Sequence, residues 1–347
     1  MNILYMIKNL KANKIESRLR AINKAKFLSK NKVLIFLLLI VCAIFICNPA
    51  VYAKSCLNAI SVWSVKVLPV LFPFFIFTKI IVALIEPKQT KLDKVFFKLY
   101  HTPATSSSIF LLSLISGYPM GAKLICNMFE RDIYTRQDAK RMLAFCSVSG
   151  PMFMIGTVGV AVFGDIKFGV VIMCANVLAC LVNGFIFRGK KIEQEKLQTI
   201  QIEQPTNNSN ILGNSVYDAL ISILMVGAFM VLAFLLIDVL KNTGILIWLS
   251  AGIAKVLHID ANFIQAFLSG IVEITRGVID LSAVACPMQI KLIFASALIG
   301  FGGISIFMQS LSFLSKLKIK PGYVMLQKLS QGLLALLFSV PLCFLVC

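Results

Sequence analysis

Long apolar segments alternate with short polar ones along most of the chain. Residues 33–47 carry no charge, and segments at 67–85, 168–187, 219–237 and 329–347 carry at most one charged residue each. A segment of about 20 apolar residues is long enough to cross the hydrocarbon core of a bilayer as a helix. A helix also satisfies its own backbone hydrogen bonds in lipid. The pattern therefore predicts an all-α polytopic membrane protein.

Basic residues indicate which polar segments face the cytoplasm. Five clusters, at 8–32, 88–98, 131–141, 188–196 and 316–320, hold 24 of the 34 Lys and Arg residues. Because Lys and Arg accumulate on the cytoplasmic side, these clusters predict a cytoplasmic N-terminus and about seven crossings. The predicted crossings are 33–52, 55–85, 141–163, 167–187, 211–240, 288–313 and 323–347.

Two segments are predicted to be re-entrant hairpins. Residues 99–130 lie between two clusters that both need the cytoplasmic side, and their apolar part is about half a span long. The motif Ser116-Gly117-Tyr118-Pro119-Met120-Gly121 interrupts it, because proline lacks an N–H and glycine loosens a helix. A turn inside the membrane is allowed where protein or water surrounds it. Residues 262–280 are interrupted in the same way at Ser269-Gly270.

The two halves of the chain, 53–187 and 211–347, are predicted to form an inverted repeat. A polar segment, 188–210, separates them and is expected to be a cytoplasmic linker. Three full crossings in each half, with a linker that stays inside, place the second half upside down. Such repeats with interrupted helices are typical of secondary transporters. The paired landmarks are Lys98 and His101 with Lys255 and His258, and Ser116-Gly117 with Ser269-Gly270.

The N-terminal region has two interpretations. Residues 1–32 alternate Lys and Arg with Ile and Leu, which indicates an amphipathic helix on the anionic inner leaflet. Residues 33–52 are then an uncleaved signal anchor. A cleaved signal peptide is the alternative, because Val51-Tyr52-Ala53 resembles a cleavage site. The net charge of +19 would indicate nucleic acid in a soluble protein, but 59% hydrophobic residues favour the membrane surface as the basic region's partner.

Enzymatic motifs are absent from the sequence. Ten cysteines include no C-x-x-C pair, and His101 and His258 are the only histidines. No zinc-protease, Walker A, nucleophile-elbow or dinucleotide motif occurs. We therefore expect neither catalysis nor a metal or cofactor.

Two cations within apolar segments are the strongest predicted site residues. Lys123 and Arg276 would each cost about 2.5–3.5 kcal/mol at the centre of a lipid-facing helix, so a polar interior is expected around them. Two cations at opposed hairpin tips predict an anion site, to which helix N-termini would add positive dipole ends. Glu273 either neutralises Arg276 or serves as a proton or cation coupling group. The other predicted substrate-binding residues are Ser116, Gly117, Tyr118, Gly121, Ser147, Ser149, Gly150, Ser269, Gly270 and Thr275. Further neutral candidates are Asn127, Thr157, Ser305 and Gln309, for which helix–helix packing is the alternative.

Several motifs together carry a family resemblance. The motif at 116–123, followed by those at 147–153 and 156–159, resembles the sporulation integral membrane protein family, stage V membrane proteins with a nucleoside recognition or Gate domain. Residues 269–277 match the family's second signature, and the resemblance covers about 55–347. It implies an architecture similar to that of concentrative nucleoside transporters.

The same resemblance implies a substrate and a location. The family is associated with moving dipicolinic acid across the outer forespore membrane, and this dianion would suit opposed Lys123 and Arg276. A nucleoside carrier and a non-transporting membrane scaffold are the alternatives. A homo-oligomer is left open.

Overall fold

The structure is a computed structural model that describes residues 32, 35–36, 39–84, 90–189 and 210–346, and the described residues contain no β-strand. The chain divides into two compact units, Met1–Lys54 and Ser55–Cys347. Nearly all of the basic segment 1–32 and of the linker 188–210 lies outside the described residues.

The first long helix begins earlier than the sequence predicts. Residues 39–47 are helical, the chain bends at Asn48, and helix α1 then extends over Pro49–Leu84 with a π-helical segment at Trp63–Val67. Proline suits the first position of a helix, where an N–H would have no partner. Residues 49–52 therefore belong to α1, and not to the helix that precedes it.

Several short helices and then one long helix, α7, follow α1 in the first half. Two of them begin with reciprocal capping: Thr90 N–H donates to Asp93 Oδ2 at 2.7 Å, and Thr135 and Asp138 form a complete capping box. The helices are α2 Lys91–Tyr100, α3 Ser106–Ser116, α4 Met120–Glu130, α5 Arg136–Cys146, the π-helical α6 Phe153–Val162, and α7 Ile166–Ile186.

The second half repeats this order of long, short, paired, interrupted and long helices. Its first helix and its last helix each exceed 25 residues. The helices are α8 Ile211–Asn242, α9 Ile245–Leu257, α10 Ala261–Val272, α11 Ile274–Ala283, α12 Met288–Phe301, α13 Gly303–Lys316 and α14 Pro321–Val346.

Five helical segments of the described residues are long and apolar enough to cross a membrane: Pro49–Leu84, Ile166–Ile186, Ile211–Asn242, Met288–Leu311 and Pro321–Val346. Many of their large apolar side chains are exposed, as expected for surfaces that face lipid. Helices α5 and α6 are each about half a span and are separated by a non-helical break. The total of about seven crossings stays a prediction.

The two histidines occupy equivalent positions in the repeat. His101 ends α2 and His258 ends α9, both in the left-handed conformation with φ of 54° and 56°. Each backbone N–H donates to a carbonyl four residues earlier, that of Phe97 or Ala254. The shared order of elements supports a repeat, and the inverted orientation of its second half stays a prediction.

The second hairpin turns three residues later than the sequence predicts. Gly117 N–H donates to Ser113 O at 2.8 Å, and Glu273 N–H donates to Ser269 O at the same distance. Glu273, and not Gly270, is therefore the equivalent of Gly117 at the hairpin tip. Gly270 lies inside α10, where a Cβ on Gly277 of α11 would come 2.1 Å from its Cα. These two glycines let the arms of the hairpin pack closely.

Polar side chains join the long helices. Asn176 Nδ2 of α7 donates to Ser296 O of α12 at 3.4 Å, and Asn183 Nδ2 of the same helix donates to Ala144 O and Gln327 O. Side-chain amides commonly hydrogen-bond across helices in membrane bundles. Helix α14 packs against both α7 and α12.

Candidate substrate-binding site

A single cavity is lined by residues from both halves of the chain. Its walls include both hairpin tips, the break before α6 and the first turn of α13. Helices α1 and α8 add mainly apolar side chains. Its polar lining residues are Ser116, Tyr118, Ser149, Glu273, Thr275, Ser305 and Gln309.

Close backbone contact joins the first tip to the first break. Gly117 has φ of +70°, a region that favours glycine, and a Cβ there would lie 2.5 Å from Gly150 N. A larger residue at the tip would therefore push the hairpin away from the break. The two glycines allow the hairpin and the broken helix to meet at the cavity wall.

The second break is built on consecutive glycines. Gly302 and Gly303 have φ of +87° and +69°, and α13 begins between them. A Cβ on Gly303 would lie 3.4 Å from Gly270 O and from Val272 O, so this break contacts the second hairpin. A Cβ on Gly302 would lie 3.5 Å from the Tyr118 ring of the first hairpin. The two repeats therefore meet here.

Helix N-termini surround the cavity. Helices α4, α6 and α13 begin beside it and have no side-chain cap. Helix α11 differs, because Glu273 Oε2 accepts the backbone N–H of Arg276 at 2.7 Å. Helix N-termini carry partial positive charge and favour anions. The uncapped termini favour an anion in the cavity, whereas the Glu273 carboxylate in the same wall opposes one.

One hydroxyl in the cavity wall has no hydrogen-bond partner among the described residues. Ser116 is 5% exposed, and its Oγ has no partner among the described residues. A buried polar atom without a partner is costly, and natural proteins seldom keep one without a role. Ser116 can therefore offer a hydrogen bond to a solute in the cavity.

Lys123 and Arg276 are not brought together, so the predicted pair of opposed cations is wrong. Lys123 Nζ lies 4.0 Å from Asp218 Oδ2, whereas Arg276 Nη2 lies 3.5 Å from Asp238 Oδ1. Both acids are on α8, twenty positions apart, which corresponds to about 30 Å along a helix. Neither cation lines the cavity. Each charge is offset by a carboxylate of α8 near a different end of that helix.

Arg276 belongs to a half-buried ionic network. Its Nε lies 3.0 Å from Asp280 Oδ1, and Lys241 Nζ lies 3.4 Å from Asp280 Oδ2. Ser55 Oγ of α1 donates to Asp238 Oδ2 at 2.5 Å. Among the ion pairs of the described residues, none joins Arg276 to Glu273. The interpretation of Glu273 as the neutralising partner of Arg276 is therefore not supported by the contacts.

Of the thirteen predicted site residues, seven line the cavity: Ser116, Gly117, Tyr118, Ser149, Gly150, Glu273 and Thr275. Gly121 instead packs against the first break, where a Cβ would come 2.0 Å from Cys146 O. Ser269 Oγ donates to Gln265 O within α10, and Gly270 serves the hairpin contact described above. Ser147 lies behind Tyr118, whose hydroxyl donates to Ser147 O at 3.0 Å.

Lys328 of α14 was not predicted as a site residue. It is 5% exposed, and its Nζ donates to Ser147 O and to Gln331 Oε1, each at 2.8 Å, and to the Tyr118 hydroxyl. Tyr118 and Lys328 both line a second, smaller cavity. The sequence feature that could have indicated Lys328 is its position directly before the apolar segment 329–347 and outside the basic clusters.

A search of curated proteins finds a similar sequence. Over 320 residues, the chain is 26% identical to "Sporulation integral membrane protein YlbJ" of Bacillus subtilis (strain 168), covering 85% of this chain and 78% of the relative. The resemblance to the sporulation integral membrane proteins is confirmed. No family model matches the chain, and no solved structure matches it. The relative and the apolar helices together identify an integral membrane protein.

Proposed function

We propose that this sporulation membrane protein is a carrier that moves a small organic anion across the bilayer. The observation that carries the proposal is that both hairpin tips and both interrupted helices line one cavity. Interrupted helices that meet near the midplane are a common way to build a substrate site in secondary transporters. Alternating access would then come from movement of one repeat against the other, without catalysis.

Two features of the cavity support an anionic solute, although the Glu273 carboxylate lies in the same wall. Three helix N-termini without side-chain caps surround it, and Ser116 Oγ is a buried group without a partner in the described part of the chain. We propose dipicolinate as the anion, because the sequence motifs resemble a family associated with its transport. The proposed location is the outer forespore membrane, with the N-terminus in the cytoplasm.

The test is uptake by proteoliposomes of labelled dipicolinate and labelled uridine, measured side by side. Ser305→Phe should fill the cavity at the start of α13 and reduce dipicolinate uptake at least about tenfold. Ile304→Phe is the matched control, because the neighbouring side chain is 39% exposed and does not line the cavity. The control should transport like the unmodified protein.

The rival functions give different outcomes. Uptake of uridine alone would favour a nucleoside carrier. Absence of uptake for both solutes, by protein that is correctly inserted and folded, would favour a membrane scaffold. Equal uptake by Ser305→Phe and Ile304→Phe would contradict the assignment of this cavity.

A further inference from the structure

Lys328 is a buried intramembrane lysine without an acidic partner among the residues that the structure describes. It lies in α14, one of the candidate spans, and none of the ion pairs of the described residues includes it. Its three N–H donors are taken up by neutral groups: a hydroxyl, a carbonyl and a side-chain amide. An ionisable residue inside a membrane bundle is costly to keep, which points to a function.

Tyr118 separates this cation from the main cavity. Its side chain lines both the main cavity and the smaller cavity that contains Lys328. Lys328 Nζ lies 4.5 Å from the centre of the Tyr118 ring. A change of the Tyr118 rotamer would therefore join the two cavities and bring the ammonium group into contact with a bound solute.

A second donor accompanies the cation. Gln331, one turn further along α14, is 1% exposed, and its Nε2 has no partner among the residues that the structure describes. Its Oε1 accepts from Lys328, so the spare amide donor lies close to the ammonium. An ammonium and an amide N–H side by side are suited to the two oxygens of a carboxylate.

We propose that Lys328, assisted by Gln331, binds a carboxylate of the transported solute after Tyr118 moves aside. This inference rests on the proposed carrier function and names the cation that the site needs. A carboxylate would replace neutral acceptors with a charged one, and charge-assisted hydrogen bonds are stronger than neutral ones. The solute class is a small mono- or dicarboxylate, recognised by its charge.

The first test compares ligands that differ in charge. Thermal unfolding of the purified protein is followed with pyridine-2,6-dicarboxylate and with the neutral pyridine-2,6-dicarboxamide. Lys328→Met should weaken the apparent affinity for the dicarboxylate about tenfold or more and leave the response to the dicarboxamide unchanged. Lys328→Arg should retain a preference for the dicarboxylate.

A matched control is available in Lys140→Met. Lys140 Nζ lies 5.5 Å from the centre of the Tyr323 ring, an arrangement like that of Lys328 and Tyr118, but it lines neither of the two cavities. This variant should keep the affinity of the unmodified protein. An equal loss in Lys140→Met and Lys328→Met would overturn the assignment of the site to Lys328.

Chemical rescue separates charge from folding. Lys328→Cys should lose uptake of labelled dicarboxylate, and 2-aminoethyl methanethiosulfonate, which restores an ammonium group, should recover part of it. The 2-sulfonatoethyl reagent should not. The unmodified protein is treated in parallel because it contains ten cysteines.

The outcomes distinguish the two proposals. If the unmodified protein neither binds nor transports a dicarboxylate, the carrier proposal fails and this inference fails with it. If it does both and Lys328→Met behaves identically, only the role of Lys328 is overturned. If Lys328→Met does not fold, the rescue of Lys328→Cys decides, and recovery with both reagents would contradict the inference.

Discussion

At the scale of single residues, the cavity is defined by a few polar groups in an apolar wall. Ser116 is the clearest case, because a buried hydroxyl without a partner contributes little to folding but can serve a ligand. Glu273 is a buried carboxylate at the other hairpin tip, and its contacts make it a helix cap. We therefore expect substitutions of Ser116 and of Glu273 to have different effects.

Ser116→Ala should leave stability nearly unchanged and weaken solute binding. Removing a hydroxyl that has no partner costs no hydrogen bond in the protein, whereas the lost bond to the solute is worth about 0.5–1.5 kcal/mol. Thermal unfolding with and without dipicolinate measures both effects. Ser113→Ala is the control: Ser113 Oγ donates to Ile109 O and does not line the cavity, so this variant should lose stability and keep its affinity.

Glu273→Gln tests whether the carboxylate couples uptake to a proton gradient. Glutamine keeps an oxygen acceptor for the Arg276 N–H, so α11 should remain capped and the protein folded. We expect the variant to lose the stimulation of uptake by an imposed pH gradient and to retain solute exchange at zero gradient. Unchanged stimulation would leave Glu273 with the capping role alone.

At the scale of helices, the sequence predicted one hairpin tip correctly and misplaced the other. Gly117 and Pro119 mark the first tip because proline and a left-handed glycine cannot continue a helix. At the second tip the turn is made by Glu273 in an extended conformation, which leaves no glycine signal. The sequence pattern predicts the break at Gly270, but this residue is a packing glycine beside Gly277. Sequence alone does not distinguish these two uses of glycine.

The partners of charged residues also required the structure. Lys123 and Arg276 are each expected to face a polar interior, but the Lys123 side chain is 41% exposed. The hydrophobic pattern could not show that Asp218 and Asp238 of α8 would meet the two cations. The spacing of charged residues in a sequence indicates ion pairs within one helix. These ion pairs instead join residues about 40 to 100 positions apart in the sequence.

Gly117→Ala should separate the first hairpin from the first break. The added Cβ would lie 2.5 Å from Gly150 N, and φ of +70° is unfavourable for alanine, so we expect a loss of at least about 1–2 kcal/mol of stability together with reduced uptake. Gly252→Ala of α9 is the control, because its Cβ would meet nothing within 4 Å and alanine favours a helix. Chemical denaturation of both variants in detergent gives the comparison.

At the scale of the whole molecule, the cavity requires both halves of the chain. Each half supplies a hairpin and an interrupted helix, and Tyr118 of the first half lies against Gly302 of the second. Neither half alone would enclose the cavity. The functional proposal therefore depends on how the two halves are oriented in the bilayer.

Equivalent positions in an inverted repeat lie on opposite sides of the membrane, which gives the orientation a direct test. Lys98 and Lys255 are both exposed, and each precedes a capping histidine by three residues, so they are a matched pair. In a cysteine-depleted background, we expect a membrane-impermeant maleimide added outside intact cells to label Lys255→Cys and not Lys98→Cys. After permeabilisation both should react. Labelling of both positions from the same side would show that the two halves form a parallel repeat. The broken helices would then enter the cavity from the same leaflet. Such a topology would exclude alternating access by opposed hairpins.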